Sequence, residues 1–262
     1  MRRVPSPRGV TMRIVTKGAL LFAAVALLAL PLRVASAAQA TSEPIQGHYN
    51  DEAGGLNLVA GKDQGNKATN VLTTIYDNTS ASALFAVSST DLASQWGDEL
   101  FTTGTGLLST HKFTIFNSGS SAGPLLTATV AVSFFNAITA APLGAYSTTI
   151  NFGTGLPQGF FSIVTVTGLD PLLIVLNTTD VIALQQVTAK TGTASRLGIV
   201  SMGPQVVGAS PTDMFINSLT IGPPGFYTFQ NGPADPGHFL AVNPPPVGTH
   251  SKSWGSLKKL YQ

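Results

Sequence analysis

Cysteine is missing from all 262 residues of the chain. Its absence excludes disulfides, thiolate metal sites, a cysteine nucleophile and a lipidated cysteine. Charged residues are also scarce, at 10% of the chain, and the longest apolar run is Ala19–Leu30. At about 1.5 Å per residue this run is too short to cross about 30 Å of hydrocarbon as a helix. The sequence therefore predicts a mature protein without a transmembrane span, stabilised by a large apolar core.

The first forty residues have the three-part layout of a secretory signal peptide. Basic residues precede the apolar run, and small residues at cleavage spacing follow it at Ala35–Ala37 or Ala38–Ala40. We therefore predict a signal peptide at 1–40 and a mature chain that begins near Ala38 or Thr41. An uncleaved membrane anchor is the alternative. The mature protein is expected to be secreted, extracellular or on the cell surface, and a cysteine-free exported chain favours a bacterial export route.

Removing the signal peptide reverses the sign of the net charge. The whole chain carries a formal charge of +2, but between Thr41 and Ser251 five basic residues stand against twelve acidic ones, which leaves −7. A nucleic-acid partner requires a basic surface, which this acidic segment lacks. The composition therefore predicts no nucleic-acid binding.

Short runs rich in Val, Ile, Thr and Phe fill the chain from Leu56 to Val242, and Gly, Pro, Asn and Ser separate them. This is the pattern of β-strands, and its period of two is clearest at 126–135. We expect further strands at 112–116, 160–168, 172–176, 180–189, 196–202, 214–221, 225–229 and 238–242. Segment 178–190 also has the length of a helix, but a strand is favoured. The prediction is an all-β fold at 41–243, a single antiparallel β-sandwich of jelly-roll type.

The chain changes character after Val242. Pro244–Pro246 favour an extended spacer, and Trp254, Leu257 and Tyr261 then recur at helical spacing beside two lysines. We predict a Pro-rich spacer and a basic amphipathic tail at 244–262, with these three residues making its contacts. So short a helix does not form alone in water, so it would order on a partner, a membrane surface or its own domain. A frayed terminus without function is the alternative.

The stretch SQWGDELF (Ser94–Phe101) holds two adjacent carboxylates, Asp98 and Glu99. Neighbouring residues of a strand point to opposite faces, so the pair cannot share a substrate unless a turn or bulge redirects it. Calcium prefers oxygen ligands, and Asp98, Glu99 and Asp213 are its candidate ligands, with Asp77 and Asn78 as further ones. The alternative, which we favour, is that Asp98 and Glu99 form the solvated edge of a strand.

Residues for catalysis do not assemble from the sequence. A G-x-S-x-G elbow is absent, since GASPTD at 208–213 lacks the closing glycine. None of the histidines stands at H-x-H or H-E-x-x-H spacing, and His111 and His238 lie in or beside strand patterns that predict structural imidazoles. Glycine loops that cradle phosphate are absent as well. The sequence therefore predicts no catalytic residue and no cofactor, with calcium as the one possible ion.

Aromatic residues offer a route to binding instead. Trp96, Tyr76 and Tyr227 are the candidates for stacking against sugar rings. Packing in the core or at the ends of strands is the alternative for each of them.

Four short motifs carry a resemblance to known proteins: YDN (Tyr76–Asn78), GDELF (Gly97–Phe101), VSFFN (Val132–Asn136) and GASPTDMF (Gly208–Phe215). The set resembles a poorly characterised group of exported bacterial β-sandwich proteins, some of which carry sorting tails of the PEP-CTERM kind. The chain differs from the sorted members because it ends without a Pro-Glu-Pro motif, a terminal transmembrane helix or an arginine cluster. Its ending SWGSLKKLY is similar to short Trp-Gly tails of exported proteins. The resemblance implies a surface or extracellular-matrix setting and no catalytic residue.

These observations predict an exported, non-enzymatic surface or extracellular module with structural or binding roles, whose partners are glycans or other surface proteins. A carbohydrate-binding or adhesin module is the alternative, and a polysaccharide hydrolase or lyase is a third interpretation. A pocket that gathers two acids with His or Tyr would favour the enzyme, and a row of exposed aromatics would favour sugar binding. An exposed strand edge would favour assembly.

Overall fold

Strands dominate the computed structural model of the chain, which describes residues 42–49 and 71–243 together with the backbone of Ala38–Gln39 and Leu56–Asn57. The described residues belong to one compact unit of the chain, Val34–Gln262. The predicted signal peptide, apart from the backbone of Ala38–Gln39, and the predicted tail at 244–262 lie outside the described residues.

The first of two sheets, sheet I, has seven strands. In spatial order they are β1 (Ala38–Gln39), β15 (Gly222–Thr228), β14 (Met214–Ser218), β6 (Gln95–Phe101), β12 (Asp180–Gly192), β8 (Leu125–Asn136) and β9 (Pro142–Leu156). All neighbours pair antiparallel except β1 and β15.

The second sheet, sheet II, has nine strands. Its main path is β2 (Gly47–His48), β10 (Phe160–Thr167), β7 (Gly106–Asn117), β13 (Leu197–Gly203) and β5 (Ser82–Ser89). The remaining strands attach beside this path: β3 (Leu56–Asn57) on β10, β11 (Val175–Leu176) on β7, and β16 (His238–Asn243) between β7 and β4 (Thr73–Asp77). One 3₁₀ helix, Asp170–Leu172, is the sole helical element of the described residues. The prediction of an all-β fold with two sheets is confirmed.

Alternating side chains explain how the sheets face each other. On β8, where the sequence predicts a period of two, Ala128, Val130, Val132 and Phe134 are buried, and the residues between them are partly exposed. Residues 180–192 form a strand, as favoured over a helix. Burying each large apolar side chain of such a face stabilises the fold by about 1.5–3 kcal/mol. The period of two therefore builds a sheet with one dry and one wetter face.

The interior between the sheets contains two apolar clusters. The larger joins β8, β9 and β12 of sheet I to β4, β7, β10 and β16 of sheet II, with Phe113 and Phe134 near its centre. The smaller lies between β5 and β13 on one side and β6, β14 and β15 on the other, around Trp96. The division between these clusters is where the polar site described below is found.

A third cluster lies on the outer side of sheet II, under the segment 42–49. Ile45 packs there against Phe116, Phe161 and Val200, among others. The backbone of Glu43 exchanges two hydrogen bonds with Ala86 of β5, and the amide of Tyr49 donates to the Phe161 carbonyl of β10 at 2.7 Å. The segment therefore bridges two strands that are far apart in sheet II and covers the apolar patch between them.

Candidate functional site

Asp98 lies on the inner face of sheet I, between the side chains of Trp96 and Leu100. All three are buried, and Asp98 is 0% exposed. The interpretation of Asp98 and Glu99 as a solvated strand edge is therefore wrong, since Glu99 is also buried, at 9% exposed, and β6 is paired on both sides. The reason is the alternation of the strand, because Trp96 and Leu100 require the interior and Asp98 shares their face. Glu99 points to the opposite face of the strand.

The loop 204–213 covers the end of the interior where Asp98 lies. It is fixed by backbone hydrogen bonds from Val207 to Asp77, at the end of β4, and from Ala209 to Phe101, at the end of β6. Gly208 stands between these anchors with φ of +79°, where an added Cβ would lie 2.7 Å from the Phe101 carbonyl oxygen. A glycine is therefore required for the loop to approach both strands.

Ser210 of this loop is the centre of a polar cluster, which we call the Ser210 cluster. The hydroxyl of Tyr76 donates to Ser210 Oγ at 3.3 Å, and the Gln205 amide donates to Ser210 Oγ at 2.8 Å and to Asp235 Oδ2 at 2.6 Å. The cluster runs from half-buried Gln205 and Ser210 inward to Tyr76 and Asp98. It comprises Tyr76, Asp98, Gln205, Ser210, Asp213 and Asp235.

Burial and mutual repulsion set the protonation of the cluster. Burial raises the pKa of Asp98 well above its usual range, and the charges of Asp235 and Asp213 raise it further, while a Ser210 hydrogen bond acts in the opposite direction. Burial likewise raises the pKa of Asp235 to about 6 against hydrogen bonds from Ser210 and Gln205. The pKa of Tyr76 is raised by burial and by Asp98. Burial and the neighbouring acids therefore favour the neutral form of the Asp98 carboxyl.

Within the described part of the chain, each of the three acids of the cluster has one oxygen without a hydrogen-bond partner. These atoms are Asp98 Oδ2, Asp213 Oδ1 and Asp235 Oδ1. The other oxygen of Asp98 accepts from the Glu99 amide at 2.8 Å. A protonated carboxyl tolerates such a position better than a carboxylate, because a neutral group loses less hydration on burial.

The predicted calcium ligands divide between two places. Asp98 and Asp213 both belong to the Ser210 cluster, but Glu99 lies on the other face of β6 and cannot join them. Among the residues that the structure describes, no group of three His, Asp or Glu side chains is arranged to hold a metal ion. The side chains of the further candidates, Asp77 and Asn78, make hydrogen bonds to loop residues instead. Asp77 accepts hydrogen bonds from Thr79 and Ser80, and Asn78 donates to the carbonyls of Asp235 and Pro236.

The aromatic residues expected to stack on sugars face the interior. Trp96 is 3%, Tyr76 0% and Tyr227 4% exposed. Tyr76 belongs to the Ser210 cluster, and Tyr227 donates its hydroxyl to the Pro223 carbonyl at 2.7 Å. The expectation of a sugar platform at these three rings is therefore not met, because a ring inside the core offers no face to a ligand.

A second buried polar group joins residues that are far apart in the sequence. Nδ1 of His111 on β7 bonds the Tyr146 hydroxyl of β9 at 2.6 Å, and its Nε2 bonds Nδ1 of His238 on β16 at 3.1 Å. The two imidazole rings are nearly parallel, at 13°, with their centroids 5.3 Å apart. Burial lowers the pKa of His111, with a further contribution from His238, and burial lowers the pKa of His238 to about 4.

Neutral imidazoles make this chain of hydrogen bonds directional. If Tyr146 donates to His111, then His111 donates to His238 and leaves Nε2–H of His238 as the terminal group; the opposite tautomers leave a lone pair there. Nε2 of His238 has no partner in the part of the chain that the structure describes. The predicted structural role of these imidazoles agrees with their burial, but their pairing was not foreseen.

Three of the four motifs noted in the sequence meet at the Ser210 cluster. Tyr76 comes from YDN, Asp98 from GDELF, and Ser210 and Asp213 from GASPTDMF, while VSFFN supplies the core residues Val132 and Phe134. Gln205 and Asp235 were missed, since each stands alone in its segment. The tail residues Trp254, Leu257 and Tyr261 lie outside the described residues.

No protein-family model, curated protein or solved structure matches this chain. In the described residues no helix is long and apolar enough to cross a membrane.

Proposed function

We propose that the chain is an exported, non-enzymatic module of the cell surface or extracellular matrix, with a jelly-roll-like sandwich and a structural or binding role. The observation that supports this most is the location of its chemical groups. The acids of the Ser210 cluster and the histidines His111 and His238 serve the interior, where they hold loops and strands together.

An exported hydrolase or lyase would require an acid and a base that reach a substrate. The Ser210 cluster gathers two acids with a tyrosine, as such an enzyme would need. Asp98 and Tyr76 are nevertheless fully buried, and His238 is not part of this cluster. A substrate would have to displace the loop 204–213 from both β4 and β6 before it reached either group. The geometry therefore favours a structural role for the cluster.

The outer face of sheet I has a different chemistry, made of small hydroxyl side chains. The hydroxyls of Thr127 on β8 and Thr191 on β12 lie 2.7 Å apart, and those of Thr129 on β8 and Thr149 on β9 lie 2.9 Å apart. Ser147 is exposed on the same face of β9. We call these five residues the hydroxyl face. A face of uncharged hydroxyl side chains suits contact with another extended surface.

The hydroxyl face also supports the second candidate function, glycan binding. Hydroxyl groups both donate and accept hydrogen bonds, which is what the hydroxyls of a polysaccharide require. Binding would then rest on threonines of a sheet face rather than on the aromatic residues first considered.

Fractionation of expressing cells and medium tests the proposal. We expect the protein outside the cytoplasm, with a mass that shows loss of about forty N-terminal residues. The double variant Asp98→Asn/Asp235→Asn is expected to reach the same fraction, because the Ser210 cluster has a structural and not a catalytic role in this proposal. Deleting 244–262 tests whether the tail retains the protein at the surface. An unprocessed protein in the cytoplasm would contradict the proposal, as would a glycan-cleaving activity that the double variant abolishes.

A further inference from the structure

The free edge of sheet I is formed by β9, the last strand of the sheet. Within the described residues β9 pairs on one side only, with β8. Seven successive residues, Ala145–Asn151, pair in unbroken register with Ser133–Thr127. A strand paired on one side leaves a row of backbone N–H and C=O groups directed outward on the other.

Contacts from elsewhere in the fold meet β9 near the two ends of this stretch. Ile174 packs against Gly144, where an added Cβ would lie 2.9 Å from its Cγ1. The Tyr49 hydroxyl donates to the Phe152 carbonyl at 3.3 Å and lies 3.0 Å from Thr154 Oγ1. The stretch Ala145–Asn151 therefore lies between two positions at which β9 contacts other parts of the fold.

The devices by which proteins protect a sheet edge are missing from this stretch. Natural edge strands carry lysines, other charges, prolines or bulges that prevent pairing with another strand. β9 has no charged residue, its one proline is at its first position, and its register shifts lie outside Ala145–Asn151. The opposite edge of sheet I differs, because β15 contains Pro223 and Pro224 and pairs with β1.

The side chains of β9 alternate in a way that a second copy of β9 can continue. Tyr146, Thr148 and Ile150 are buried, while Ser147 and Thr149 are exposed on the hydroxyl face. Two antiparallel copies related by a two-fold axis near the middle of the stretch place like faces beside each other. An uncharged strand meets its own copy without electrostatic repulsion.

We propose that two copies of this chain associate through β9, pairing Ala145–Asn151 antiparallel to form one continuous sheet with a doubled hydroxyl face. The interface is isologous, and backbone hydrogen bonds of the two strands provide its specificity. The inference goes beyond the proposed function, because it depends on the geometry of β9 and not on where the protein is located.

Sedimentation of the purified protein tests the association. We expect concentration-dependent dimerisation of the wild type and its loss in Thr149→Lys, because lysines on both copies would face each other across the junction. The matched control is Thr191→Lys. It adds the same charge to an exposed threonine that also bonds a threonine of β8, but it lies two strands from the edge. We expect this control to dimerise like the wild type.

Single cysteines provide a second test that does not depend on the stability of a lysine variant. Because the chain has no cysteine, Ser147→Cys, Thr149→Cys and Asn151→Cys each introduce one thiol. Residues opposite each other across an antiparallel pair have Cα atoms about 4.5–5.5 Å apart, within the range of a disulfide. We expect at least one of these variants to form a covalent dimer on mild oxidation, and Thr191→Cys to remain a monomer.

Two results would overturn the inference. A wild type that sediments as a monomer at its highest soluble concentration would do so, and then a strand of another protein becomes the candidate partner of β9. Equal cross-linking of Thr191→Cys and the three β9 variants would also do so. Neither result bears on export or surface location, which the fractionation experiment decides separately.

Discussion

Asp235 and His238, three residues apart in the chain, make contributions to the stability of the fold that depend on pH in opposite directions. Burial raises the pKa of Asp235 to about 6 and lowers that of His238 to about 4. An aspartate with a raised pKa stabilises the folded state most below its ordinary value, and this contribution is lost as the pH rises through the folded pKa. A histidine with a lowered pKa has the reverse effect, because stability is lost as the pH falls from its ordinary value toward the folded one.

The variant Asp235→Asn separates these effects. As the pH rises from about 5 to about 7, the wild type loses the stability that Asp235 contributes, and the variant has no such contribution to lose. We expect the pH-dependent decrease in the free energy of unfolding to be about 1–2 kcal/mol smaller in the variant than in the wild type. The groups that face Asp235 are Asp98, Asp213, Tyr76, Ser210 and Gln205, and the variant leaves all of them unchanged in sequence. Urea unfolding at several pH values measures the difference. Asp91→Asn, a carboxylate outside the cluster, is the control, and identical slopes in all three proteins would contradict the assignment.

Asp98 shows how far the burial of a single residue can be predicted from the sequence. Its burial was predictable in principle, because Trp96 and Leu100 stand two residues away on either side and strand alternation puts all three on one face. Scarcity of charge and the adjacent Glu99 suggested a polar edge instead. The contact between His111 and His238 was not predictable, since 127 residues separate them and only the tertiary fold brings β7 beside β16.

At the scale of elements, β6 depends on a glycine at a crowded position. An added Cβ at Gly97 would lie 2.7 Å from the carbonyl oxygen of Ala183 on β12 and would collide with the Leu184 side chain. The backbone oxygen cannot move without breaking the pairing of β6 and β12. Gly97 therefore allows the close approach of these two central strands.

We expect Gly97→Ala to destabilise the protein by about 1–3 kcal/mol, as overpacked positions do. Gly225→Ala in β15 is the matched control, because its added Cβ meets no atom closer than 3.7 Å. The control should change the free energy of unfolding by less than about 0.5 kcal/mol. Equal thermal melting temperatures for the two variants would contradict the steric explanation.

The strands that were predicted well differ in composition from β9, which was missed, as were β4 and β5. β8 alternates buried apolar residues with less buried ones, so its period of two is plain, and β12 contains the apolar run Val181–Leu184, whose length suits a strand. β9 received no strand prediction over its length. Its glycines, Gly144, Gly153 and Gly155, have positive φ and resemble turn positions, and its exposed face carries Ser, Thr and Asn. β9 is a strand because it pairs with β8, although its own sequence has no clear strand pattern.

At the scale of the whole molecule, Glu43 fastens the segment 42–49 to sheet II. Its carboxylate accepts hydrogen bonds from Ser88 and Ser118 and forms an ion pair with Arg196 at 3.4 Å. The ion pair is partly exposed, so most of the stabilisation comes from the hydrogen bonds.

We expect Glu43→Ala to release the segment and to lower the free energy of unfolding by about 1–2 kcal/mol. Faster hydrogen exchange at the Ala86 amide, which donates to the Glu43 carbonyl at 3.0 Å, should report the release. Glu43→Gln retains an acceptor for the serines and should have a smaller effect. Unchanged exchange at Ala86 in Glu43→Ala would show that the apolar contacts of Ile45 alone hold the segment.

The pairing of β4 with β16 has a consequence for how the chain folds. Among the described strands, β4, near the start of the sandwich, pairs only with β16, which ends at Asn243. Contacts that span most of a chain cost loop entropy before they form, and folds built from them are slow. Sheet II therefore cannot close until almost all of 71–243 is present. A nascent chain exposes β4 without its partner strand throughout that time, and this is the interval in which it most needs protection from aggregation.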